Sequence, residues 1–482
     1  MTSLATTLRS SATIALGRGA RLAARLRGGG SGGTALPGLV VERTDPAFLG
    51  RVLGQLPHGV VVVSGTNGKT TTTKMVVQLL RSQGLKVLTN RTGSNFIRGV
   101  LASLLTEVDW RGRVDADIAV LELDEAHAVR FVQHVRPKAT LLLNVMRDQL
   151  DRFGEVDYTA SLLHQVAQAT TGVVVVNADD PRLVAPRFLG TLSARTATFG
   201  VGPALRSVFL SDDELHTART TPPTSPGPAH QDAPAGEGSD TRVLRADDQA
   251  PTAHSGEPGP QAAALSRPTV LLEELHGQEV TLQVRGVQRR TAMTIPGVHN
   301  QLNACAALAL ALEVLGPKAD VTSLLDELSR VEPAFGRGEV VELDGREVEL
   351  SLVKNPAGFR MALLTAAQAE EETGPEVLMV AINDEYADGR DMSWLWDVEL
   401  ASLREEGVAV VTGVRAWDMA LRLRYDEVPV GAVEPDLAKA LEVLRAASGR
   451  EGRRMRIFTS YTAMLALRHH LGELTEVEEV MK

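Results

Sequence analysis

A continuous β-branched run, Val60 to Val63, passes through Ser64 straight into Gly65-Thr66-Asn67-Gly68-Lys69-Thr70-Thr71 and then into a helical pattern. A strand that ends in a glycine-containing loop and continues as a helix is a phosphate-binding device. The glycines let backbone N–H groups turn inward, and the helix offers its positive N-terminal end. Within it, Lys69 supplies a mobile charge for terminal phosphates and the Thr70 hydroxyl suits Mg²⁺, with Thr66, Asn67 and Thr71 completing the loop. The spacing departs from the general pattern, because Val63 stands where a standard loop has its first glycine.

The surrounding chain repeats the same alternation. VVVVSG, a helix through Met75–Gln83, KVLTN, a helix from Asn95, ADIAVLELD, ATLLLNV and GVVVVNADDP follow one another. Continuous β-branched runs between helical patterns predict a parallel sheet covered on both faces, and so an α/β fold. Strand patterns resume at TVLLEEL and VTLQVRG, followed by an alanine- and leucine-rich helix over Asn300–Leu315. Beyond residue 340, REVELSLVKN, EVLMVAIND, GVAVVTG and RRMRIFTSY alternate with helices such as Asp436–Ala447, which predicts a smaller doubly wound domain. The expected division is an N-terminal arm and hinge over 1–57, a central ATP-binding domain over 58–340 and a C-terminal domain over 341–482. Residues 217–268 interrupt the central domain. They hold nine of the 23 prolines, no aromatic residue, and only Val243, Leu244 and Leu265 as large aliphatics. Such a segment cannot offset its ordering entropy by burial and reads as a disordered surface insertion.

With 482 residues the chain has room for two or three domains. A net charge of −10 sets aside a general nucleic-acid role. Cys305 is the only cysteine, which excludes intramolecular disulfides and multi-cysteine metal sites and suits a cytosolic protein. It lies in the Ala/Leu helix and reads as core packing. The apolar stretch Ala304 to Leu312 is too short to span a bilayer. At the N-terminus, Arg9, Arg18, Arg21, Arg25 and Arg27 all precede the first acidic residue, Glu42. The apolar stretch there closes in Gly17 and Arg18, so it has no signal-peptide core. It reads as a basic amphipathic arm, docked on the protein or resting on an anionic membrane surface.

The short G-T-N-G-K-T-T form resembles the Mur ligase superfamily, ATP-dependent enzymes that activate a carboxylate and join it to an amine. Glu122 ends a strand near the loop, where a carboxylate can hold Mg²⁺ opposite Thr70. LLNVMRDQLDRFG (142–154) is similar to a superfamily strand-end motif, with Gln149 where the larger Mur ligases carry histidine. PGVHNQLNACAA (296–307) resembles the element whose asparagines meet the adenine, which assigns that part to Asn300 and Asn303. An amide edge carries both the donor and the acceptor that a purine requires, although either residue could equally cap the helix they open. FGRGE (335–339) puts Arg337 where the superfamily uses arginine on the transferring phosphate.

LVKNPAGF (352–359), INDEYADGRDMSWLWD (382–397) and NRTGSNFIRGV (90–100) resemble one branch, MurT, the ligase half of lipid II isoglutaminyl synthase. Only 64 residues precede the loop, too few for arm, hinge and a UDP-sugar domain, which fits that branch. The resemblance implies ATP- and Mg²⁺-dependent amidation of the D-glutamate α-carboxylate in the lipid II peptide stem through an acyl phosphate. Ammonia would come from a GatD-type glutaminase in a heterodimer. It implies a cytoplasmic enzyme, or one peripheral at the inner face of the membrane. It also implies that Asp391 reaches across the interface to orient the partner's histidine, a carboxylate being able to fix an imidazole tautomer. Many relatives carry a four-cysteine zinc ribbon that this chain cannot form, so no structural zinc is expected. Trp394 and Trp396 share one short motif, and at least one is expected at the glutaminase interface. Two other readings stay open: a folylpolyglutamate synthase-like ligase, and a nucleotide-gated scaffold for a glutaminase.

Overall fold

The computed structural model describes residues 4–26, 35–90, 96–147, 156–217, 267–295, 297–331 and 337–475. Among the described residues, fifteen strands form two sheets. The first sheet contains β1 (Val60–Ser64), β2 (Val87–Thr89), β3 (Ile118–Glu122), β4 (Ala139–Leu142), β5 (Val173–Asn177), β6 (Arg195–Val201), β7 (Val270–His276), β8 (Glu279–Val284) and β9 (Val287–Ala292), in the order β2-β3-β1-β4-β5-β6-β7-β8-β9. The first seven strands are parallel, and β7-β8-β9 form an antiparallel extension. β1, β3, β4 and β5 are buried at every position, which is why they read as unbroken apolar runs. The phosphate-loop helix spans Lys69–Ser82, six residues earlier than the apolar pattern suggests, because its first turns are threonines without helical periodicity. Against it packs the helix Val298–Leu315. That helix is long and apolar enough to cross a membrane, but its side chains from Ala304 to Leu312 are almost fully buried in the protein core.

The second sheet contains β10 (Arg337–Leu343), β11 (Arg346–Leu352), β12 (Val377–Ala381), β13 (Val408–Thr412), β14 (Val430–Val433) and β15 (Met455–Thr459), in the order β10-β11-β15-β12-β13-β14. All pairs are parallel except β10-β11. The expected boundary at residue 340 falls inside β10, which pairs with β11 along its length and so belongs to the second sheet. One face of that sheet buries a charge cluster. Arg456, fully buried, donates to Glu376 at 2.5 Å and to Glu349 at 2.5 Å.

The two sheets meet through polar contacts. Arg360, in the helix Pro356–Thr373, donates to the carbonyls of Val208 (2.7 Å) and Ser207 (3.1 Å) in the first unit. Arg147 lies 3.7 Å from Asp397. At the N-terminus the helix Leu4–Leu26 docks against the helices Ala35–Thr44 and Ile97–Glu107. Most of the Pro-rich segment expected over 217–268 lies outside the described residues, as does Gln149.

Candidate active site

The loop between β1 and its helix is shaped by two glycines with left-handed backbones, Gly65 at φ 127° and Gly68 at φ 87°. A Cβ on Gly65 would lie 3.0 Å from the backbone of Asn144, and one on Gly68 would lie 2.4 Å from Asn303 Oδ1. Only glycine satisfies both the dihedral and the space. Asn144, just after β4, braces the loop. Its Oδ1 accepts from Asn67 N at 2.8 Å, and its backbone oxygen accepts from Thr66 N at 3.0 Å. At the head of the helix the Thr71 hydroxyl is buried without a hydrogen-bond partner among the described residues.

Charge gathers on one side of this loop. Lys69 Nζ donates to the carbonyls of Gly65 (2.5 Å) and Thr66 (3.3 Å) and lies 3.5 Å from Glu125 Oε2. From the second sheet's unit, Lys354 Nζ donates to Thr66 O at 3.3 Å. Burial opposes ionisation of Glu125, but Lys69, its own backbone amide and Lys354 outweigh it and hold the carboxyl below its usual range. Thr70 Oγ1 donates to Glu122 Oε1 at 2.9 Å. Glu122 is itself held in register by Asn90, whose side chain exchanges two 2.9 Å hydrogen bonds with the Glu122 backbone. Thr70 and Glu122 thus present hard oxygens side by side, the donor type that Mg²⁺ takes.

The cleft beside the loop is lined by Thr66, Asn67, Gly68 and Lys69, by Asn300 and Asn303, by Asn177 at the end of β5, and by Asp179 and Asp180 just after it. Asn300 and Asn303 are buried, and Asn303 Nδ2 donates to Asn300 Oδ1 at 3.2 Å. The N-cap of their helix is Gly297, so Asn300 lies within the first turn. Burial pushes the Asp180 carboxyl up to about 6, although the amides of Val145, Leu183 and Arg182 all donate to it. The opposite wall belongs to the second unit: Glu349 and Ser351 on β11, then Lys354, Gly358 and Arg360. Asn355 closes the junction by exchanging amide hydrogen bonds with Asn67, at 3.0 and 3.3 Å. Arg337 opens β10, but its side chain lies outside the described residues.

Residues 63–218 match the Mur ligase middle domain, and residues 352–464 match the MurT ligase C-terminal domain. Over 457 residues the chain is 29% identical to the lipid II isoglutaminyl synthase (glutamine-hydrolyzing) subunit MurT of Streptococcus pneumoniae, covering 93% of this chain and 94% of the relative. The chain thus joins a Mur ligase middle domain to a MurT ligase C-terminal domain and is similar to MurT over nearly its whole length. Among solved structures, MurF from Acinetobacter baumannii superposes with a TM-score of 0.62 at 19% identity, over 89% of this chain and 80% of that one. MurF from Thermotoga maritima in complex with ADP gives 0.60 at 16% identity, over 89% and 82%. At these identities the superpositions establish a shared Mur ligase fold.

The MurT-type C-terminal match contains Lys354, Gly358 and Arg360 of the cleft's second wall and the loop after β12, whereas Glu349 and Ser351 precede it. In that loop Asp391 Oδ1 accepts from Ser393 N at 2.9 Å, and this contact with Ser393 holds its carboxyl below the usual range. Asp391 is half-buried and is not part of the cleft lining. The two tryptophans of the motif separate. Trp394 is 8% exposed and packs edge-on to Phe359, whereas Trp396 is 42% exposed and packs edge-on to Tyr425. Sequence reasoning missed Asn90, Glu125, Asn144, Lys354 and Asn355. For Glu125 a signal existed, since it follows Glu122 by three residues at the head of a helix capped by Asp124.

Proposed function

We propose that this chain is the ATP-dependent ligase subunit of a lipid II isoglutaminyl synthase. The observation that carries the reading is the meeting, in one cleft, of a glycine-shaped phosphate loop with Lys69 and Lys354 from opposite units, with Thr70 of the Thr70–Glu122 oxygen pair as the next residue of the loop's helix. The α-carboxylate of D-glutamate in the lipid-linked peptide attacks the terminal phosphorus of ATP, and ADP departs with the electrons of the broken P–O bond. Ammonia then attacks the acyl carbon, the C–O bond to phosphate breaks, phosphate leaves, and the nitrogen sheds a proton. Phosphorylation is needed because an oxide ion is too poor a leaving group.

The loop residues Gly65, Thr66, Asn67, Gly68 and Thr71 surround the phosphates, with the orphaned Thr71 hydroxyl and the N-terminal amides of the loop's helix as donors, while Asn144 engages the amides of Thr66 and Asn67. Lys69 and Lys354 face the charge that spreads over the transferring group. Arg337 joins them as the third cation of the reading. Thr70 and Glu122 would hold Mg²⁺, which neutralises phosphate charge. Asn300 and Asn303 offer amide edges for the adenine. Asn355, bound to Asn67, ties closure of the second unit to the state of the loop.

The ammonia comes from a glutaminase subunit, with Asp391 as a positioning residue for that subunit's histidine and Trp396 as an anchor. The test is to copurify the chain with its glutaminase, add ATP, glutamine and lipid II, and follow conversion of the D-Glu α-carboxyl to an amide by mass spectrometry. Transfer of an amino acid in place of ammonia, or ATP turnover without amide, overturns the reading. Asp391→Asn should cripple glutamine-dependent amidation and glutamine hydrolysis, while amidation driven by high ammonium at raised pH survives. Equal loss with both nitrogen sources would assign Asp391 to the ligase site or the fold, and equal retention would leave it a loop residue.

A further inference from the structure

A helix lying on a protein turns its apolar side inward. Over most of its length the N-terminal helix Leu4–Leu26 does the reverse. Its inward face buries Ser10, Thr13 and Gly17, with Ile14 as the one large apolar side chain in the core among the described side chains. Thr13 Oγ1 donates to Asp45 Oδ2 at 3.0 Å, and Arg18 donates to the carbonyls of Leu105 (3.1 Å) and Val108 (2.8 Å). Outward stand Leu8, Leu16 and Leu22, which are 63%, 52% and 60% exposed, together with exposed Ala12, Ala15, Gly19 and Ala23. At about 100° per residue these positions fill an arc of about 120° that contains no polar side chain. Arg9 borders the arc on one side and Arg18 on the other.

The neighbouring surface continues the pattern. Ser11 Oγ donates to Trp110 O at 2.7 Å, which ties the turn Asp109–Arg113 to the helix. Trp110 is 57% exposed, with the Arg18 guanidinium 4.6 Å from its ring centroid, and Arg111 and Arg113 are exposed beside it. Residues 1–41 hold five arginines and no acid, in a chain whose net charge is −10.

We propose that this face docks on an anionic bilayer surface, with the leucines and Trp110 at the headgroup–acyl boundary and the exposed Arg111 and Arg113 on lipid phosphates. Arginine can lay its stem along the apolar stripe while its head stays in the polar layer. A second copy of the chain fits poorly, because two-fold association would bring the same arginines face to face. The inference is independent of the ligase reading, since vesicle binding needs neither nucleotide nor peptide substrate.

The test is flotation of the full chain with vesicles of phosphatidylglycerol and phosphatidylcholine, compared with phosphatidylcholine alone. Wild type should float with the anionic vesicles and stay behind with the neutral ones. The triple variant Leu8→Glu, Leu16→Glu, Leu22→Glu should lose at least about 100-fold in partitioning, since burial of each leucine is a major part of the binding free energy. Its melting curve should match wild type, because the three side chains fill no core. Arg111→Gln with Arg113→Gln, at exposed positions outside the cleft, should weaken anionic binding by about tenfold. The proposal is overturned if wild type does not float, if it floats equally with neutral vesicles, or if the triple variant floats as well as wild type. A mass by light scattering that falls from dimer to monomer in the triple variant would assign the face to self-association and also overturn it.

Discussion

Gly68→Ala isolates the loop from the rest of the protein. Gly68 has φ 87° and ψ −9°, and a left-handed backbone costs an alanine ~1–2 kcal/mol. The added Cβ would also lie 2.4 Å from Asn303 Oδ1 and 3.0 Å from its Cγ. Asn303 is 8% exposed and bonded to Asn300, so it must move and lose a hydrogen bond worth ~1 kcal/mol. Together the penalty is ~2–3 kcal/mol. In the free protein the loop can relax to avoid it, whereas a bound nucleotide demands the native loop, so the cost falls on binding. Calorimetric titration with a non-hydrolysable ATP analogue and Mg²⁺ should therefore show a Kd raised about 30- to 150-fold. The control is Gly286→Ala, at φ 81° with nothing within 4 Å of its Cβ, which carries the same backbone cost in the β8–β9 turn and should leave nucleotide affinity unchanged. A Gly68→Ala protein that binds within about threefold of wild type would refute the loop geometry as the nucleotide site.

Lys69→Ala should abolish ATP-dependent amidation with either nitrogen source while thermal unfolding stays close to wild type, because Lys354 still faces Glu125; a folded variant that amidates contradicts the site. Trp394→Ala should destabilise the C-terminal unit by ~3–5 kcal/mol, since it empties a core position. Trp396→Ala should instead weaken glutaminase binding with little change in melting, and unchanged affinity would remove it from the interface. Asp180, whose carboxyl is raised to about 6, stabilises the fold fully below the ordinary carboxylate pKa. That contribution, up to ~3 kcal/mol, is lost as pH rises through about 6. Denaturant unfolding of wild type and Asp180→Asn from pH 4 to 7.5 checks this, and parallel pH profiles would refute it.

Local order was legible in the sequence wherever neighbouring residues carry it. The runs Val60–Val63 and Val173–Val176 are apolar without interruption because parallel strands buried on both faces leave no polar side, so the α/β class and the parallel sheet follow from pattern alone. The loop motif carries its own turn chemistry in Gly65 and Gly68, and the helix expected over Asp436–Ala447 is found at Leu437–Glu451, with Asp436 as its cap. The strands β9 and β14 were not legible, being largely exposed or half-buried and lacking the apolar alternation that marks a strand. What only the tertiary structure decided are contacts between distant positions. Asn67 and Asn355 are 288 residues apart and meet because β11 delivers the second unit's first helix onto the loop. Lys354 reaches Thr66 for the same reason, whereas Asn90 clamps Glu122 and Glu125 holds Lys69 because β3 pairs with both β2 and β1 in the first sheet. Burial of Trp394 beside exposure of Trp396, and a basic helix docked by its polar face, likewise depend on which surfaces oppose them. Periodicity records how a segment meets its own neighbours along the chain, whereas strand order and crossover packing set which far residues share a site.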